Sequence, residues 1–141
     1  MKKTASVEWK GSIKEGQGSI STQTGVLKNA PYGFKSRFED GPGTNPEELL
    51  AAAHAACFSM ALSLMLGQEN LTPESIRTTG EVTLDKVGEG YAITASHLTV
   101  NAKVPGADAA TFDRIANKAK AVCPLSKVLN AKITMDATLE A

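Results

Sequence analysis

Between Leu49 and Leu66 the only polar side chains are His54, Ser59 and Ser63, and few folds can house such a segment. Its ends are explicit. Asp40-Gly41-Pro42-Gly43-Thr44-Asn45 breaks whatever precedes it, Thr44 or Asn45 can serve as N-cap, Pro46 suits the first turn, and Glu47 and Glu48 complement the positive end of the helix dipole. Gly67 lies just past the last apolar residue and reads as the stop. The result is a helix of about twenty residues, roughly 30 Å long. Apolar on nearly every side, it requires burial on most faces, which a chain of 141 residues can hardly provide alone. A membrane span is the weaker reading, because the segment is rich in alanine, contains a histidine and lies between amphipathic strands. The stronger expectation is a central helix packed on strands on one side and on a second subunit on the other, an obligate homodimer. An inert helix buried inside a monomer is the alternative.

The flanking sequence has strand character. Ser6–Trp9, Ser19–Thr22, Gly25–Leu27 and Gly33–Phe38 are short runs separated by Gly11, Gly16, Gly18 and Pro31, predicting three or four strands in a meander. After the helix, Ser75–Val87 and Tyr91–Val104 form a long hairpin through Gly88-Glu89-Gly90, with a bulge near Ser96 where the alternation slips phase. Asp108 caps a helix with Phe112, Ile115, Ala119 and Val122 on its apolar face, ending before Pro124. A short helix from Pro124 to about Leu129 and a last strand alternating at Ile133, Met135, Ala137 and Leu139 complete the chain. The order ββββ-α-ββ-αα-β predicts an α+β fold without a βαβ crossover, in a single domain over residues 1–141.

Composition narrows the function. Fifteen basic and fifteen acidic residues and only 5% aromatics leave neither a basic field nor stacking platforms for nucleic acid. No apolar run follows the lysines of the N-terminal segment, which predicts a cytoplasmic protein. In a reducing compartment two cysteines point to catalysis or redox sensing rather than to a permanent staple. They are Cys57, inside the apolar helix, and Cys123, next to Pro124 at the start of a short helix where free backbone N–H groups favour a thiolate.

Each cysteine has a bland reading as a small buried hydrophobe, but one thiol in each helical segment suggests a pair. Their separation of 66 residues excludes a C-x-x-C loop, and Cys123-Pro124-Leu125-Ser126 has serine where that motif places its second sulfur. A nucleophile with a distant resolving thiol suits peroxide reduction through a sulfenic acid and a disulfide. Three residues are candidates to tune the nucleophile: His54, one turn before Cys57; Arg37, in the last strand of the meander; and Glu47. The dull alternatives are an interface histidine, a solvated arginine and, for Glu47, the N3 partner of a Thr44 capping box. Ten residues of helix separate Glu47 from Cys57 by about 15 Å and roughly 280°, so the two cannot meet on one straight helix. With no proline or glycine between them to bend it, a shared site falls at a subunit interface. The spacing of His54, Cys57, His97 and Cys123 fits no compact zinc pattern, and Gly41-Pro42-Gly43 lacks the lysine and spacing of a phosphate loop.

The segment from Asn45 through Ala-Ala-His-Ala-Ala-Cys-Phe-Ser-Met-Ala (Ala52–Ala61) resembles the OsmC/Ohr family, as do Pro31-Tyr32-Gly33-Phe34, Arg37-Phe38 and Ala121-Val122-Cys123-Pro124. The match covers essentially the whole chain and is nearer to the OsmC branch. The resemblance implies an intertwined homodimer with long central apolar helices flanked by antiparallel-rich sheets, and cysteine-based reduction of organic hydroperoxides to alcohols. It implies that Cys57 is the peroxidatic cysteine and Cys123 the resolving one. Arg37 and Glu47 match the charged pair that orders thiolate and peroxide, the glutamate coming from the partner subunit. No cofactor or metal is implied; the implied reductant is a dithiol of the dihydrolipoamide type. The hydroperoxide branch usually carries an aromatic where this chain has His54, so no catalytic role extends to that residue. Phe58, Met60 and Leu125 are candidates to favour alkyl substrates. The competing reading is a stress-induced dimer that binds an apolar small molecule or senses redox state without turnover.

Overall fold

The computed structural model describes residues 1–141. Two compact units divide the chain, Met1–Leu49 and Leu50–Ala141. In the first, β1 (Ala5–Lys10), β2 (Gln17–Thr22) and β3 (Ala30–Tyr32) form an antiparallel meander in that order. Its register is pinned by aromatics. The Trp9 and Tyr32 rings meet with centroids 5.6 Å apart over Gly18, where an added Cβ would lie 2.2 Å from the Tyr32 ring and 2.8 Å from that of Trp9. Only a residue without a side chain leaves room for both. Gly25–Leu27 falls in the loop between β2 and β3 rather than in a strand.

The fourth expected strand is a helix, α1 (Phe34–Phe38). Phe34, Ser36 and Phe38 alternate as a strand would, but Phe34 and Phe38 are also four apart, and on a helix their rings meet at 5.1 Å. Ser36 closes the first turn by accepting from the Gly33 amide at 2.9 Å. Arg37 is therefore presented from a helix, not from a strand.

Helix α2 (Pro46–Gln68) runs without a break. Asn45, not Thr44, is its N-cap: the Asn45 Oδ1 accepts from the Glu48 amide at 2.7 Å. Glu48 is thus at N3 and Glu47 is released from any capping duty. The helix ends not at Gly67 but at Asn70, whose φ of 60° puts it in the left-handed region. The Leu71 amide returns to the Leu66 carbonyl at 2.9 Å and the Asn70 amide to Gly67 at 3.1 Å, a Schellman closure. Asparagine tolerates that conformation next best after glycine, so the stop signal was present three residues beyond the expected one.

In the second unit, β4 (Ser75–Val87) and β5 (Gly90–Lys103) pair antiparallel through a tight turn with positive φ at Gly88. The bulge sits at Thr94: Thr83 faces Ala95 while Leu84 faces Ile93. This inserted residue brings Ser96, Leu98, Val100 and Ala102 into phase on the buried face. After α3 (Ala109–Val122) and α4 (Pro124–Val128), β6 (Lys132–Leu139) lies beside β5 in parallel. The helices between two adjacent parallel strands are a βαβ crossover, contrary to expectation. Although parallel, β6 alternates apolar and polar residues, because α3 covers only one face of this small sheet and the other stays wet. The fold class remains α+β.

The core of this unit gathers Phe58, Leu62 and Leu66 from α2, Leu98, Val100 and Ala102 from β5, and Phe112, Ile115, Ala116 and Ala119 from α3. At Gly80 an added Cβ would stand 2.7 Å from the Ala51 carbonyl oxygen, so the helix backbone lies directly on the sheet. The opposite face of α2 is bare. Ala53, Ala56, Met60 and Leu64 are exposed at helical spacing, Met60 and Leu64 by 77% and 63%. By length and composition α2 could cross a membrane, and only 22% of its most apolar window is buried.

Candidate active site

Both thiols are free and sit together in the second unit. Cys57 belongs to the middle of α2, half-buried where the covered face turns into the bare one. Cys123 is completely buried and occupies the junction at which α3 ends and α4 begins, forced there because Pro124 cannot continue a helix. The Cys57 thiol interacts with the neighbouring Cys123 sulfur, and the Leu125 amide points at the Cys57 sulfur. The amide freed at the start of α4 thus serves Cys57 rather than Cys123, the reverse of the expectation from sequence. Around Cys57 an open apolar depression of ≈ 560 Å³ is lined by Met60, Ala61, Leu64, Met65, Val122 and Pro124. Val122, expected on the buried face of α3, is 37% exposed here.

Burial pushes the Cys57 thiol up, the neighbouring Cys123 thiol raises it further, and only the Leu125 amide opposes them. Within its own unit the nucleophile therefore has a second sulfur in hydrogen-bond reach but no cation to hold it as thiolate.

His54 does not fill that gap. Fully buried, it places Nδ1 2.6 Å from Ser96 Oγ on β5 and Nε2 2.8 Å from Ser126 Oγ on α4. Burial lowers its pKa, so the ring is neutral, one nitrogen donating and the other accepting. It is a polar residue satisfied inside its own unit and not, as the bland reading had it, at an interface. Since the unfolded chain binds the proton better, this contribution to stability is intact above a pH of about 6.5 and is lost as pH falls through the lower folded-state value. The thermal midpoint is expected to drop between about pH 7.5 and about pH 5, and to drop less in His54→Gln. Equal drops in a fluorimetric melt would assign the acid sensitivity elsewhere.

The charged residues form a pair in the first unit. Arg37 donates through Nη2 to Glu47 Oε1 at 2.8 Å and through Nε to both carboxylate oxygens at 3.2 and 3.3 Å, with its guanidinium carbon 5.3 Å from the Phe38 ring centroid. Glu47 is buried. This fork fixes the guanidinium plane, and a charge-assisted arrangement of this kind is among the stronger side-chain contacts. Beside it Trp9, Ile13, Tyr32, Phe34 and Phe38 line an apolar recess of ≈ 260 Å³ with Arg37 on its wall.

Of the candidate apolar contacts, Met60 borders Cys57, Leu125 is half-buried against the core and Phe58 is wholly interior. His97 bonds to Thr134 and Asp136, and no three His, Cys, Asp or Glu side chains converge as metal ligands would. Two polar residues at the site escaped the sequence reading, Ser96 and Ser126. The signal for Ser96 is a hydroxyl in register with Leu98, Val100 and Ala102 on a buried face, a position that demands a partner.

Residues 39–138 match the family model for OsmC-like proteins. The chain is 59% identical over 138 residues to peroxiredoxin OsmC of Escherichia coli K12, covering 98% of this chain and 96% of that one. It is 32% identical over 125 residues to the organic hydroperoxide resistance protein OhrB of Bacillus subtilis, covering 87% and 89%. The crystal structure of that OhrB superposes with a TM-score of 0.71 over 97% of this chain and 98% of that chain at 29% identity. An OsmC-like protein of unknown function from Vibrio cholerae, 15% identical, shares the fold with a TM-score of 0.77 over 97% of this chain and 99% of its own.

Proposed function

This chain belongs to the OsmC-like family and is a peroxidase of the peroxiredoxin type; from that premise we propose that Cys57 attacks organic hydroperoxides and Cys123 resolves the product, at a site completed by a second copy of the chain. The observation that carries the reading is the approach of the two sulfurs inside one protomer, Cys57 packing against the cluster that holds Cys123 and interacting with it directly. In the first step the Cys57 thiolate takes the terminal peroxide oxygen: an S–O bond forms, the O–O bond breaks, and the alkoxide leaves with a proton as the alcohol. In the second, Cys123 attacks the sulfenic sulfur, an S–S bond forms, and hydroxide leaves as water. A dithiol of the dihydrolipoamide type then reduces the disulfide by exchange.

The burial that raises Cys57 calls for a cation, and we assign it to the Arg37–Glu47 pair of the partner subunit. Two features support delivery in trans. Ten residues of regular helix span about 15 Å, and α2 has no interruption between Glu47 and Cys57. The bare face of α2 also passes beside Cys57 through Met60 and Leu64, so a second helix laid on it would arrive at the thiol. The pair bonded within one chain travels as a unit, its carboxylate holding the guanidinium to bind both thiolate and peroxide. The recess lined by Trp9, Tyr32 and Phe38 offers the alkyl chain an apolar wall beside that guanidinium. The two units described above are in this reading parts of one domain. The setting is cytoplasmic, where a dithiol can recycle the enzyme.

Complementation tests the assignment. Arg37→Ala and Cys57→Ser are each expected to be inactive, while their mixed dimer contains one complete site and regains about half the wild-type activity per dimer. A mixed dimer as inactive as its parents would place Arg37 and Cys57 of the same chain in one site and end the trans reading.

A further inference from the structure

Resting on the assignment of Cys57 and Cys123 above, we infer that His54 is a positioning residue for the resolving step: through Ser126 it ties α4 to the helix that carries Cys57, and so holds the two sulfurs in attacking range. Three observations converge. His54 lies on α2 one turn before Cys57 and is fully buried. Its Nε2 reaches Ser126 Oγ at 2.8 Å, and Ser126 is three residues past Cys123 on a helix of only five residues. Its Nδ1 is anchored by Ser96 Oγ at 2.6 Å on β5.

Besides this bond, helix α4 is located by its buried N-cap Cys123 and by Leu125, half-buried against the core. None of its residues is fully buried, Val128 is 72% exposed, and a single turn is not stable by itself. Yet this turn carries both groups that touch the Cys57 sulfur, since Cys123 is its N-cap and Leu125 supplies the amide. The Ser126 bond to a ring held from its other side by the sheet adds the directional tie that apolar packing at Leu125 lacks. The neutral imidazole suits the task, because each ring nitrogen has a serine hydroxyl, which can donate or accept as the tautomer requires.

Resolution competes with over-oxidation. The Cys57 sulfenate is either attacked by Cys123, releasing water as the disulfide forms, or by a second hydroperoxide, which transfers an oxygen to give the sulfinate and leaves as alcohol. Loosening α4 slows the first route without affecting the second. Ser126→Ala is therefore expected to lower the disulfide-to-sulfinate ratio at excess cumene hydroperoxide by roughly three- to tenfold, the range one hydrogen bond spans. Ser126→Thr, which keeps the hydroxyl, restores it, and His54→Gln behaves as Ser126→Ala. The ratio is read by mass spectrometry on protein shown by circular dichroism to be folded. If His54→Gln does not fold, the Ser126 variants decide alone. Wild-type disulfide with an unchanged ratio in Ser126→Ala overturns the inference, even where the melt shows lost stability. Absence of the disulfide in wild type overturns the cysteine assignment itself, and the inference with it.

Discussion

Cys57→Ser abolishes consumption of an alkyl hydroperoxide in the presence of a lipoyl dithiol, a loss of at least about a thousandfold, because a serine hydroxyl without a general base is a negligible nucleophile at neutral pH. The change is nearly isosteric and leaves the half-buried position on α2 packed as before, so loss of turnover cannot be charged to loss of fold. Cys123→Ser separates the two steps. The Cys57 sulfur still attacks once, giving one equivalent of alcohol, and then stalls as the sulfenic acid or advances to the sulfinic acid as peroxide rises. Removing Cys123 also removes a group that raises the Cys57 thiol, so the single attack is expected to be no slower than in wild type. Slow steady-state turnover with a fast first equivalent identifies this pattern in a stopped-flow trace. No turnover by the wild-type protein with any dithiol, its thiols titrating as free, would leave the chain as the binding or redox-sensing dimer that the competing reading describes.

If α2 pairs with a second copy as proposed, Leu64→Asp is expected to leave the protein monomeric and to silence the enzyme while Cys57 stays intact. Leu64 is 63% exposed beside Met60 on the bare face of α2, where the substitution costs an isolated protomer little. In a two-fold interface the same residue faces its own copy or that copy's neighbours, so each substitution counts twice. A buried carboxylate without a partner costs about 3–5 kcal/mol, enough across two copies to dissociate a complex of ordinary affinity. Sedimentation velocity reads the mass, and titration with a thiol reagent confirms that Cys57 remains available. The coupled loss is the informative part, since a monomer retaining full activity would mean that no partner residue enters the site. A mass still that of a dimer would place the interface on another face.

Much of this chemistry was legible in the sequence because it follows from helical arithmetic and from cysteine placement. The apolar run between two clear breakers fixed α2 to within two residues at its C-terminal end, since the length of such a run bounds where the helix can start and stop. The same composition predicted a face that one protomer leaves uncovered. Two readings failed for a common reason. Gly33–Phe38 satisfies strand and helix periods equally, and Gly67 and Asn70 compete as terminators; between Thr44 and Asn45, both admissible caps, the sequence left the choice open. In each pair local signals were nearly degenerate, and long-range packing broke the tie.

By itself the sequence determined the types of the long elements, the burial requirement of α2 and the identity of the two thiols, all of which depend on neighbours within a few turns of chain. Only the tertiary structure decided which groups meet. It set β6 parallel to β5, and so closed a βαβ crossover around α3 and α4; it aimed the Leu125 amide at Cys57 rather than Cys123; and it gave His54 two serines, 42 and 72 residues away along the chain. Such contacts join segments that no local pattern relates. Their partners are chosen by register, by a bulge at Thr94 and by the fit of one buried ring, quantities that exist only once the chain is folded.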